Sequence, residues 1–387
     1  MTGLENWIIG QGLNGTSLAE LLTGFAERLV AQGIPVVRAY LAIPTVNPTI
    51  RVVNNTWTHR DGIVVERLSH ERNETAFEMS PFGLMLREDT RERHWHFTET
   101  GQEPFPLFED IRALGGTDYL AQLVPFENSS SPDLRGVGFA FSSGREGGFL
   151  PGEIETIRHA LLLLALAAYR MVLVELTISV LDTYVGLSAG RRVLSGEIRR
   201  GSGTTLTAAL LFADLRGFTA LTDLTGASII GRLDGHLEAM AEPVAEEGGE
   251  VLKFMGDGLL AAFPITPERS RKEACAAAVR AAREALARNA AVNRAHPGET
   301  PLSLDVALHC GDVFYGNIGS TARLDFTVIG PAVNEVSRME ALCETLGTAL
   351  VISASVAEAS PVPVRSLGHQ ALRGINTMRE LFTLVDL

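Results

Sequence analysis

Cysteine is scarce in this chain: Cys275, Cys310 and Cys343 are the only three in 387 residues. The number is odd and the spacing fits no metal-ligand pattern, so a disulfide framework is not expected. That usage suits a reducing compartment and predicts a cytoplasmic protein. Positive charge is also short. Against 46 acidic residues stand 33 Lys and Arg, for a net charge of −13. A nucleic-acid partner needs a basic stripe, and pairs such as Arg191-Arg192 and Arg199-Arg200 are too small to make one. Long apolar runs are missing too. The longest, residues 160–169, is half of the about 20 residues that a membrane span takes. Arg170 and Glu175 interrupt any extension, so no transmembrane span is expected. The N-terminus lacks the basic start and apolar core of a signal peptide. Hydrophobic residues are plentiful at 46%, enough for buried cores and too many for a disordered chain. At about 150 residues per domain the length predicts two or three domains.

Residues 1–150 mix helical and strand signals. Thr16-Ser17 precede LAELLTGFAERLVAQG, whose apolar residues recur at helical spacing and whose end is a glycine. VVRAYLAI, IRVVNNTW and GIVVERLS read as strands, SPFGLMLRED as a short helix, RHWHFTET as a strand and FPLFEDIRALG as a helix. DYLAQLVPF and GVGFAFSS read as paired strands joined by NSSSPD. His94 and His96 flank Trp95, and alternation along a strand puts both rings on one face; they read as partly exposed strand histidines. Residues 151–202 open with Pro151 at a helix start and acidic residues in its first turn. A long stretch free of Gly and Pro follows, apolar on more than one face, and then a glycine-broken connector. In residues 203–387 the pattern is strand, helix, strand, strand, helix, strand, the ferredoxin-like order. The chain is therefore α+β throughout. KFMGDGLLAAF is a hairpin in which Asp257-Gly258 supplies the turn.

Two aspartates carry the first chemical signal. Asp214 ends an apolar strand and Asp257 sits at the hairpin tip. In the predicted order the strand lies beside the hairpin, so both carboxylates reach one end of the sheet. Two hard oxygen donors there suit Mg²⁺ or Mn²⁺ together with substrate phosphates.

FADLRGFT, KFMGDGLLAAF and GNIGSTARLDFTVIGPAVNEVSRME resemble, in order and spacing, the three motif blocks of the class III nucleotide cyclases. The resemblance covers residues 203–387. It implies that Asp214 and Asp257 hold two Mg²⁺ or Mn²⁺ ions per active site. It implies that the backbone of Leu215, Arg216, Gly217, Phe218 and Thr219 cradles the β- and γ-phosphates of ATP. Asn334 and Arg338, four apart on one helix face, match the pair that orients the ribose and stabilises charge on the α-phosphate. Lys253 and Thr327 match the base-recognition pair: the lysine donates to adenine N1 and the threonine accepts from the 6-amino group. Threonine at that place resembles the subgroup called IIIb. Pro331 departs from the commoner polar residue and stiffens the entry to the Asn334 helix. Arg323 and Asp325 are read as a pair bracing the Thr327 segment.

In this family the metal aspartates come from one chain and the lysine, threonine, asparagine and arginine from another. The resemblance therefore implies a homodimer, joined through the catalytic domain and the linker helix. The element order of residues 1–150 resembles a GAF domain, a small-molecule sensor, whose small-molecule or protein signal is not readable. The implied function is an adenylate cyclase making 3′,5′-cyclic AMP and pyrophosphate from ATP, with residues 151–202 relaying the signal. Its rivals are a guanylate or mixed-purine cyclase and a catalytically silent nucleotide-binding module. A diguanylate cyclase is disfavoured, because EEGGEVL contains Gly-Gly-Glu but lacks the Glu-Phe that should follow it.

Overall fold

The computed structural model describes residues 3–15, 17–45, 50–69, 77–98, 105–126, 136–218, 221–222 and 229–387. Thr16, Thr219 and the NSSSPD turn lie outside the described residues. The chain divides into two compact units, Met1–Val180 and Leu181–Leu387.

In the first unit, α1 (Gly3–Asn14) is a helix the sequence reading did not assign. Gly10 and Gly12 weaken its helical signal by about 1 kcal/mol each relative to alanine. Helix α2 (Leu18–Ala31) starts at a reciprocal capping box between Ser17 and Glu20 and buries Leu21, Leu22, Phe25 and Leu29. Then follow β1 (Val36–Pro44), β2 (Val52–Thr58), β3 (Gly62–Leu68), α3 (Pro81–Arg87), β4 (Glu92–His96), α4 (Pro106–Ala113), β5 (Asp118–Pro125) and β6 (Gly136–Ser143). The strands form one antiparallel sheet, ordered β3-β2-β1-β6-β5-β4. Each strand read from the sequence is present.

Helix α5 (Pro151–Val185) runs for 35 residues. Its buried residues, among them Ile157, Leu161, Leu164, Ala168 and Met171, join α1, α2 and one face of the sheet in a single core. The opposite face carries α3, α4 and an aromatic cluster around Trp95, Phe108 and Tyr119. The long helix expected from the Gly- and Pro-free stretch is present and runs unbroken through Arg170 and Glu175. By length and composition alone α5 is apolar enough to cross a membrane.

In the second unit, Gly186 at φ +95° ends α5, and a short α6 (Leu187–Leu194) follows. The glycine-broken connector is thus partly structured, with Ala189 buried in this unit's core. The remaining elements are β7 (Gly203–Arg216), α7 (Ile230–Glu246), β8 (Glu250–Met255), β9 (Gly258–Pro264), α8 (Arg271–Ala295), β10 (Ser303–Gly319), β11 (Leu324–Ile329), α9 (Pro331–Glu340), α10 (Cys343–Leu346), β12 (Leu350–Ser353), α11 (Ala354–Ala357), β13 (Val364–Gln370) and β14 (Arg379–Leu384). The sheet runs β13-β14-β12-β10-β7-β9-β8, and β11 pairs with β10. Its inner four strands, β10-β7-β9-β8 with α7 and α8 as crossovers, have the expected ferredoxin-like topology.

Alternation along β7 separates two faces. Ala209, Leu211, Ala213 and Leu215 pack with α7 and α8. Ala208 and Leu210 pack toward Val336 and Met339 of α9. Asp214 and Arg216 therefore belong to the α9 face.

Candidate active site

Asp214 sits where central strand β7 runs out of apolar residues. Its neighbour on one side is Gly258 of β9 and on the other Asp305 of β10. Asp257 immediately precedes Gly258, so the register brings both predicted metal aspartates to the same sheet end. The hairpin turn differs from the expected one. Its two central residues are Gly256 and Asp257, with Gly256 at φ +69°, while Gly258 already belongs to β9. Glycine at the first central position is what a tight II′ hairpin asks for. Gly258 has another reason to be glycine: a Cβ there would lie 2.4 Å from both the Ala213 carbonyl and Asp214 Oδ1.

Two carboxylates at this site were missed by the sequence reading. Asp305 is almost fully buried and accepts both Arg216 Nε (2.8 Å) and Arg216 Nη2 (2.5 Å). Glu340 ends α9 over the same sheet face. Burial, with Asp214, Asp305 and Asp257 nearby, pushes its carboxyl up to about 7. Burial first, then the charges of Asp257 and Asp305, pushes Asp214 up to about 6. Burial also raises Asp257. The signal for Asp305 was available as a lone acid inside an otherwise apolar strand, LSLDVALH.

Asp214, Asp257 and Glu340 thus lie near one sheet end, where Asp305 is already paired with Arg216. Such an all-oxygen, over-negative donor set fits hard divalent cations such as Mg²⁺ or Mn²⁺. A stability prediction follows. Between an unfolded carboxyl value of about 4 and the raised folded values, the folded chain binds more protons than the unfolded one. Stability without divalent ions therefore falls as pH rises across that window. In chelator, Asp214→Asn is expected to melt above wild type at pH 8, and the gap should close toward pH 4.5. Scanning calorimetry at several pH values checks this, and a gap independent of pH contradicts it.

The other predicted residues are placed as follows. Leu215 and Arg216 still belong to β7, opposite Leu304 and Ser303. The Leu215 side chain is buried against α7 and α8, and Phe218 packs at the margin of that core. Gly217 takes φ +76° with open space where a Cβ would stand, so its backbone can approach a ligand. Lys253 on β8 is half exposed, and its Nζ lies 3.5 Å from Asp325 Oδ2. The expected Arg323–Asp325 pair is present at 3.7 Å, but Arg323 is 86% exposed, and such a pair contributes little. The partner not foreseen is Lys253, which Asp325 tethers beside β11. Thr327, on β11 opposite Gly316, is half-buried. Pro331 takes the first turn of α9, as proline favours. Asn334 is exposed on this helix and Arg338 is half-buried one turn later. Glu335 is held by Arg379 at 2.9 Å.

The C-terminal unit is thus a ferredoxin-like domain with a carboxylate-rich sheet end and a lysine, threonine, asparagine and arginine on neighbouring elements. Residues 202–380 match the family described as the adenylate and guanylate cyclase catalytic domain. An adenylate cyclase of Anabaena cylindrica is 31% identical over 164 residues, covering 41% of this chain and 32% of that protein. Adenylate cyclase 2 of Rhizobium meliloti (strain 1021) is 34% identical over 175 residues, covering 42% of this chain and 46% of that protein. The chain therefore spans less than half the length of either relative. Among solved structures, the adenylyl cyclase CyaB from P. aeruginosa is 24% identical with a TM-score of 0.43, covering 48% of this chain and 97% of that one. A class III adenylate/guanylate cyclase catalytic domain is well supported in the C-terminal unit.

Proposed function

We propose that this chain is an adenylate cyclase, converting ATP to 3′,5′-cyclic AMP and pyrophosphate at sites shared between two copies. The observation that carries this reading is the excess of carboxylates at the end of β7, where Asp214 and Asp257 adjoin and the neighbouring Arg216 is already paired with Asp305. Asp214 and Asp257 would hold two Mg²⁺ or Mn²⁺ ions, which supply neutralisation of the triphosphate and acidify the ribose 3′-hydroxyl. The chain's own groups do the positioning. Backbone at Gly217 approaches the phosphates. From the opposite copy, Lys253, paired with its Asp325, donates to adenine N1, and Thr327 accepts from the 6-amino group. From the opposite copy's α9, Asn334 orients the ribose and Arg338 meets charge at the α-phosphate. The 3′-oxygen bonds to the α-phosphorus, the α–β bridge breaks, pyrophosphate leaves and the hydroxyl proton passes to solvent. Residues 1–150 act as a GAF-like sensor, and residues 151–202 relay its state to the catalytic domain.

Product analysis by mass spectrometry with ATP and with GTP tests the reading. Wild type is expected to yield 3′,5′-cyclic AMP, and Asp214→Ala to yield almost none. Lys253→Glu is expected to lower the ratio of kcat/KM for ATP over GTP by about 10–100-fold, the worth of one unpaired buried polar group. Activity retained by Asp214→Ala contradicts the metal assignment. An unchanged ratio in Lys253→Glu contradicts the base assignment.

A further inference from the structure

The N-terminal unit holds a second cluster of metal-ligating side chains, unrelated to the carboxylates of β7. His94 and His96 stand two residues apart on β4, so their rings share one face of the sheet. Asp118 is the cross-strand partner of His96 on β5 and lies on that same face. The two imidazole rings are 4.0 Å apart between centroids. His94 Nε2 is 2.7 Å from Asp118 Oδ2. One ligand atom from each of the three residues lies within 4.8 Å of the other two, and among the described residues this is the one such group of His, Cys, Asp or Glu.

The carboxylate is built in rather than incidental. Asp118 is fully buried. Its Oδ1 accepts the Ser143 N–H at 2.7 Å, and its Oδ2 accepts the Phe149 N–H at 2.9 Å. Gly148, at φ +85°, lets the chain pass close: a Cβ there would lie 2.6 Å from Asp118 Oδ2. These bonds fix the carboxylate's orientation, as an outer shell of donors does around metal-bound carboxylates. Oδ2 keeps a second lone pair, which points toward His94. The histidines are half-buried, so an ion can enter from one side.

We propose that His94, His96 and Asp118 bind one divalent transition-metal ion of the zinc class, with the remaining coordination position open. Two imidazoles and one carboxylate are borderline donors that suit Zn²⁺ or Co²⁺ better than Mg²⁺ or Ca²⁺. The ion takes the place of the His94 Nε2–Asp118 Oδ2 hydrogen bond, whose hydrogen leaves to solvent as a proton. Its position explains what it can influence. Asp118 is hydrogen-bonded to the Phe149 N–H, two residues before α5 begins, and Glu92, on β4 with the two histidines, is ion-paired with Arg158 of α5 at 2.6 Å. A metal here is wired to the root of the longest helix in the chain. The site stands independently of the catalytic reading.

The test is a Co²⁺ titration of the metal-free full-length chain, followed by visible absorption. One equivalent of Co²⁺ is expected to give the intense bands of a four- or five-coordinate site, and Zn²⁺ should displace it. The double variant His94→Gln, His96→Gln should lose these bands. Its affinity should fall by more than the about 10–100-fold seen when only an outer-shell partner is removed. Asp257→Asn should leave the bands unchanged, which separates this site from the carboxylates of β7. Bands that survive the histidine substitutions, or that vanish in Asp257→Asn, overturn the proposal. X-ray absorption on the zinc-loaded wild type keeps the test independent of variant folding: two coordinated imidazoles are expected, and none overturns it.

Discussion

Mixed dimers of an Asp257→Ala chain and an Arg338→Ala chain, co-expressed with different tags and purified through both, are expected to turn over ATP although neither parent does. The reasoning is geometric. Asp257 sits at the hairpin tip beside Asp214, and Arg338 sits on α9. In the proposed head-to-tail dimer each site takes its carboxylates from one chain and its arginine from the other. A mixed dimer then has one site lacking both groups and one site lacking neither. With one intact site of two in a closed two-fold assembly, turnover should reach about half of wild type per dimer. Each parent homodimer carries one lesion in every site and should fall by about 10²–10³-fold, the usual cost of a missing charge-stabilising group. The tandem purification guarantees that mixed dimers are present. Their silence would mean that metals and arginine act within one chain, and the shared-site reading would be wrong.

Much of this arrangement was legible because it is local. The capping box Ser17–Glu20 announces α2, and the apolar runs around Met255 and Leu259 announce the β8–β9 hairpin. The strand-helix alternation after residue 203 gives the ferredoxin-like order that the sheet confirms. What was illegible depends on pairing across distance. Asp305 joins Asp214 only through the β7–β10 register. Asp325 reaches Lys253 across 72 residues, and Asp118 reaches His94 across 24. No periodicity within a strand announces such contacts. Gly256, rather than Gly258, supplies the positive φ of the hairpin, because the space beside Asp214 already requires Gly258 in the strand. Two glycines close together each had a separate cause, and the motif alone does not tell them apart.

Arg338→Ala is expected to lower kcat for ATP by about 10²–10³-fold with little change in KM, because its proposed partner is charge that develops only in the transition state. The structure bears on this in two ways. First, the helix that carries Arg338 is firmly seated: Val336 and Met339 are buried, and Glu335 is tied to Arg379 at 2.9 Å. Removing the half-buried Arg338 side chain, which is not part of that seat, should leave its geometry intact. Second, among the described residues no carboxylate pairs with Arg338 within its own chain. Glu335 and Glu340 are its acidic neighbours on the same helix. Glu335 is taken by Arg379, and Glu340 faces the Asp214 carboxylates, with burial first and then their charge pushing it up to about 7. An arginine with neighbouring acids otherwise engaged is available to a phosphate. Arg338→Lys keeps the charge but loses the planar fork, and should recover only part of the rate. A structural role would reverse the pattern: the melting temperature would drop in Arg338→Ala, lysine would restore it, and kcat per folded chain would hold.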